Sequence, residues 1–138
     1  MTDLITWGSL PDGVILADTA QDDAISDWSL QPSRQADVAP LVRAAHPSVR
    51  DRGNTAYNLS FTNARLHDSP VAARAFILAH AADVQALSQT TARALTVRYE
   101  AGGILIRTFL QAVLTAWPAT ARGCTTIHQY TLVCAHLT

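Results

Sequence analysis

The chain has no Lys, so all of its ten cations are Arg, and Glu100 is the single Glu beside ten Asp. Exposed helices are usually furnished with Glu and Lys, which keep rotamer freedom there and pair at i, i+4. A fold rich in exposed helices is hard to build from this inventory, whereas the abundant Thr suits strands. Charged residues make up only 15% and hydrophobic ones 49%, against roughly 25% charged in an average soluble domain, which excludes disorder as a description of the whole chain. The net charge of −1 leaves no basic excess to release phosphate counterions, so nucleic acid is not an expected partner. No run approaches the ~20 apolar residues of a membrane span. Met1-Thr2-Asp3-Leu4 opens with an acid and lacks the basic start of a secretion signal, so synthesis in a reducing cytoplasm is expected. A chain of 138 residues fits one domain, since near 150 residues roughly 70% of the unfolded surface can be buried without disulfides or metals.

Periodicity then places the elements. Leu4–Leu10, the turn Pro11-Asp12-Gly13 and Val14–Ala17 read as two strands around a tight turn. Asp18–Asp23 is a polar connection and Ala24–Leu30 a weaker third strand. From Gln31 to about Thr55 the pattern dissolves: Pro32, Pro40 and Pro47 interrupt it, and Arg34, Arg43, Arg50 and Arg52 stud it. This long irregular loop, at about 31–55, far exceeds the ~4–6 residues of a usual connection. Such a stretch is either a functional arm or a sign of misread elements.

Order returns where Tyr57, Leu59 and Phe61 alternate with polar residues as far as Leu66. Asp68 or Ser69 caps a helix with Pro70 at its first position, and Ile77, His80, Val84 and Leu87 form its apolar stripe, widened by Phe76 and Ala73. Leu95–Tyr99, Ile104–Ala116 and Cys124–Leu137 are three strands of an antiparallel meander. A helix is the rival reading of 104–116, but the Gly102-Gly103 turn and the strands around it favour β. The expected fold is α+β: mainly an antiparallel β-sandwich or half-barrel with one helix packed against it.

Chemistry is sparse. Cys124, His128, Cys134 and His136 share one parity, but on a single strand the outer pair lies ~40 Å apart at ~3.3 Å per residue, so they neither converge on zinc nor pair as a disulfide. His80 reads as a hydrogen-bonded core imidazole, His67 and Asp68 diverge at a strand end, and Asp18–Asp27 is a solvated acidic stretch without the spacing of a calcium loop. No nucleophile motif, phosphate loop or metalloprotease pattern occurs. Catalytic residues, cofactors and metal ligands are therefore all expected to be none, and the chain is expected not to be an enzyme. The candidate functional residues are Arg43, Arg50, Asp51 and Arg52, since Arg pairs bidentately with carboxylates and is enriched at interfaces. The acidic stretch of a neighbouring copy is their natural counterpart.

Arg52-Gly53-Asn54 leading into Tyr57-Asn58-Leu59-Ser60-Phe61, the helix core Phe76–Ala81 and the ending Gly123–Val133 resemble short structural proteins of tailed phages and prophages. The tail-tube family similarly pairs antiparallel sheets with one helix and a long protruding loop. The resemblance implies a virion subunit that assembles with copies of itself into a ring or tube, and with other virion or tail proteins, as a tube, terminator, adaptor or decoration component. Two other classes fit the same elements: a small-ligand-binding or enzymatic β-barrel closed at one mouth by the helix, and a monomeric regulatory interaction domain.

Overall fold

A computed structural model of the chain describes residues 3–8, 13–39, 48–87, 92–100 and 103–138, with the backbone alone at 34–39 and 48–54. Along the described chain run β1 (Leu4–Trp7), β2 (Val14–Asp18), β3 (Asp23–Ala39), β4 (Ser48–Leu66), α1 (Pro70–Ala86), β5 (Arg93–Glu100), β6 (Ile104–Ala116), β7 (Ala119–Arg122) and β8 (Thr125–Leu137). The strands pair antiparallel in the order β2-β1-β5-β6-β8-β4-β3, with β7 beside β8. This is the mainly antiparallel α+β architecture with one helix that the periodicity predicts.

The two end strands of this order, β2 and β3, are separated in sequence only by a 3₁₀ turn at Thr19–Gln21. The sheet therefore has to curl until its ends meet. The Asp18 N–H donates to Asp23 Oδ2 at 2.7 Å, and Asn63 Nδ2 on β4 donates to the Leu16 carbonyl on β2 at 3.2 Å. The curled, sandwich-like sheet encloses a core of alternating side chains. On β8, Thr126, His128, Tyr130, Leu132 and Cys134 are buried while the residues between them are not, the period of a strand with one wet face. Leu59 and Phe61 on β4, Leu95 and Val97 on β5, and Ile5 and Trp7 on β1 complete it. Trp7 is fully buried, and its indole N–H donates to the Ala112 carbonyl at 3.0 Å. At the return from β1, a Cβ on Gly13 would lie 2.6–2.8 Å from backbone atoms of Trp7 and Gly8, so the close approach admits glycine alone.

The helix begins as the sequence implies. Ser69 is its N-cap, accepting from the Ala72 N–H at 3.1 Å, and Pro70 follows at the first position. Ala73, His80 and Val84 are buried against the sheet, while Ile77 is only half-buried. The stripe is thus rotated slightly from the expected one. Among the described residues no helix is long and apolar enough to cross a membrane.

The irregular loop expected at about 31–55 is corrected by the structure, at least outside 40–47, which lie beyond the described residues. Residues 31–39 continue β3 and 48–55 begin β4, paired from Asp23↔Arg65 to Ala39↔Ser48 with two register shifts. The reason is solvation. From Ala24 to Ser33 nearly every side chain of β3 is exposed, so no buried face imposes a period of two. Pro32 fits because β3 is an edge strand, where a missing N–H breaks no ladder bond. The polar connection also ends sooner than expected, as Asp23 is 7% exposed and opens β3.

Candidate functional site

Two regions carry the surface features of this chain. The first is the distal half of the β3–β4 hairpin. β4 pairs with β8 from Leu66↔Thr125 to Ala56↔Ala135 and no further, whereas its pairing with β3 continues to Ser48. Among the described residues, 34–39 and 48–55 thus form a two-stranded ribbon with no third strand. At ~3.3 Å per residue, the 48–55 stretch measures roughly 26 Å. Arg50, Asp51 and Arg52 all lie on this ribbon, and the register sets Arg50 opposite Asp37 and Asp51 opposite Ala36. Arg43 falls outside the described residues. Three of the four candidate interface residues are therefore brought onto one strand segment rather than into a loop.

Exposed apolar side chains cluster nearby in the sheet order. Ile104, Leu105 and Ile106 at the start of β6 are all exposed, although neighbours on a strand point to opposite faces. Both faces of that hairpin end are thus open. Trp28 (46% exposed) and Leu30 on β3, and Leu137 on β8, join Ile25, Val97 and Phe109 around an apolar cavity of about 450 Å³, with Asp3, Arg98 and Arg107 also lining it.

The second region is a cleft of about 670 Å³ between α1, β2 and β4, lined by Asp18, Asn63, Arg65, Phe76, His80 and Asp83 among others. Its floor is organised by an ion pair whose carboxylate is buried and whose guanidinium is partly exposed. Arg65 donates to Asp23 through Nε and, at 2.8 Å, through Nη2. The same guanidinium lies 4.7 Å from the centre of the Phe76 ring, a cation–π contact. The carboxylate of Asp23 holds the Arg65 pKa above its ordinary value, chiefly through this hydrogen bond.

Behind the cleft, α1 presses His80 onto β8. His80 Nε2 is 2.7 Å from the Tyr130 hydroxyl, His80 and His128 meet edge to face at 4.8 Å, and His128 stacks on Tyr130 at 5.7 Å. Burial lowers the His80 pKa, with Asp83 opposing the shift. Burial, with His80 next, lowers that of His128 to about 4. Both imidazoles are therefore neutral at pH 7. Burial raises the Tyr130 pKa and pushes the Cys134 thiol up to about 12. The cluster holds neutral groups in direct ring and hydrogen-bond contact. It packs the helix to the sheet.

The expected core imidazole at His80 is therefore seen. So is the strand that keeps His128, Cys134 and His136 spread along its length; Cys124 and Cys134 are free thiols. Among the described residues, no group of three or more His, Cys, Asp or Glu gathers as it would to hold a metal ion. Asp18–Asp27 is corrected: it is not a uniformly solvated stretch, because Asp23 is buried in the ion pair just described. Sequence reasoning missed that pair and Asn63. The partners Asp23 and Arg65 are 42 positions apart, and no local spacing announces them. In comparisons with known proteins, no family model and no curated sequence matches this chain.

Proposed function

We propose that this chain is a non-enzymatic structural subunit that assembles with copies of itself into a ring or tube, as a tail component (tube, terminator or adaptor) of a tailed phage or prophage. The observation that carries the reading is the ribbon of residues 34–39 and 48–55, which pairs only with itself among the described residues. An isolated two-stranded hairpin is marginal in water, because it buries little apolar surface. Unpaired edges are also surfaces that soluble proteins cover or pair. A heterologous contact with the next copy satisfies both demands, and a rotation that closes gives a ring. The exposed Ile104, Ile106 and Leu110 of β6 supply apolar area for the same contact.

The test is particle size. Sedimentation and negative-stain imaging at micromolar concentration should show rings or filaments, and replacing residues 36–51 with a short turn should give folded monomers. A wild-type chain that stays monomeric across a wide concentration range sinks the reading. The apolar cavity beneath Trp28 favours a second reading, a small-ligand-binding half-barrel, because its about 450 Å³ falls in the range of ligand pockets, ~300–1,000 Å³. A monomer whose Trp28 fluorescence saturates with an apolar probe would select it.

A further inference from the structure

The cleft between α1, β2 and β4 contains an acceptor with nothing to accept. Asn63 is 3% exposed, and its Nδ2 donates to the Leu16 carbonyl, which fixes the amide orientation. Among the described residues its Oδ1 is buried with no hydrogen-bond partner, and the residue lines the cleft. A buried acceptor left unpaired is costly, and such groups are rare in folded proteins.

The charges around it have one sign in excess. Asp18 and Asp83 line the cleft, and the cation there, Arg65, is already bound to Asp23. Burial keeps His80 neutral. Phe76 and Leu87 add apolar wall. A site with two carboxylates, an orphan carbonyl oxygen and an apolar side takes a long, partly apolar cation with several donors. Guanidinium fits this description better than ammonium, since its planar fork of five N–H groups serves several acceptors at once.

We infer that the cleft receives an arginine side chain from residues 43–52 of a second copy. The occupant's identity follows from composition: the chain has no Lys, so a long cationic side chain from another copy is Arg. Arg43, Arg50 and Arg52 belong to the segment joining or forming the self-paired ribbon. The inference rests on the self-assembly reading and specifies where that contact lands.

A charge swap tests it. Asp83 is exposed near the C-terminal end of α1, where a cation suits the helix dipole, so Asp83→Arg should melt like the wild type. It should need at least tenfold more protein to assemble, as read by sedimentation velocity. Adding Arg43→Asp, Arg50→Asp or Arg52→Asp in turn to the same chain should restore assembly for whichever arginine enters the cleft. Wild-type assembly by Asp83→Arg, or no restoration by any of the three, overturns the inference while the assembly reading stands. A wild-type chain that is monomeric throughout overturns the assembly reading instead. A peptide of residues 41–54, which carries all three arginines, then judges the cleft alone: binding by the full-length chain that weakens at least tenfold in Asp83→Arg supports it. No binding, or equal binding by the variant, overturns it.

Discussion

The two halves of β4 are built from one continuous strand but live in different surroundings. From Ala56 to Arg65 it runs between β3 and β8, and it buries Leu59, Phe61 and Asn63 on alternate positions. From Ser48 to Thr55, among the described residues, it pairs with β3 on one side only. The inner half is held by a cooperative core. The outer half is described through its backbone, which makes ladder bonds to β3. The strand thus runs on past the pairing that encloses the core, and the proposed assembly gives that extension a use.

The sharpest way to test this division is to damage the inner half. Phe61 is 2% exposed and packs on both Trp28 and Tyr130. Phe61→Ala should cost ~3–5 kcal/mol in urea unfolding, as aromatic core truncations do, and Trp7→Ala should cost about as much. Ile77, which the helical period assigns to the core, is only half-buried. Ile77→Ala should therefore cost well below the ~2–5 kcal/mol of a fully buried truncation. Equal losses at Phe61 and Ile77 would show that α1 is rotated from the orientation described.

Acid should reach the same half next. The His128 pKa is lowered from 6.5 to about 4, so the unfolded chain binds a proton that the folded one refuses. Stability from this group is complete above pH 6.5 and falls as pH drops towards 4, by up to ~3 kcal/mol. His80, shifted the same way by burial, adds to the loss. Thermal melts from pH 7.5 to 4 should show the decline, and His128→Phe should flatten it relative to the wild type. A wild-type profile parallel to that of His128→Phe would mean that the imidazole is solvated. Tyr130→Phe is a smaller change: it removes the hydroxyl 2.7 Å from His80 Nε2 and should cost ~1–2 kcal/mol at pH 7. An unchanged midpoint would show that this contact contributes nothing net.

Legibility in the sequence follows burial. β8 alternates cleanly because one face is dry, and its strand was readable, as were the Ser69–Pro70 helix start and the β5–β6–β8 meander. β6 was ambiguous for a definite reason: a register shift between Arg93 and Leu95 on its partner moves the buried parity from Phe109 to Ala112 and Leu114. Apolar residues then occur on both parities and imitate a helix. β3 runs beyond its expected end at Leu30 because an exposed edge carries no period. The cleft was invisible, since Asp18, Asn63, Arg65 and Asp83 come from three elements that only the curling of the sheet brings together.

The smallest expected effect on the fold is also the one that separates the two halves most cleanly. Arg50 and Arg52 lie on the outer half of β4, beyond the last pairing with β8. Single charges away from a core usually contribute well under ~1 kcal/mol, so Arg50→Ala and Arg52→Ala should unfold in urea almost as the wild type does. In the assembled state a charge desolvated against a carboxylate is worth more, and removing it from an interface costs ~2–5 kcal/mol of association. Oligomers of at least one of these variants should therefore dissociate at higher protein concentration. Added salt should weaken wild-type assembly too, to the extent that the pairs stay within reach of solvent. Comparing urea midpoints with sedimentation on the same samples decides the matter. Arginine variants as unstable as Phe61→Ala would place the outer half inside the folding unit, and variants that neither unfold nor dissociate would leave the ribbon without a partner.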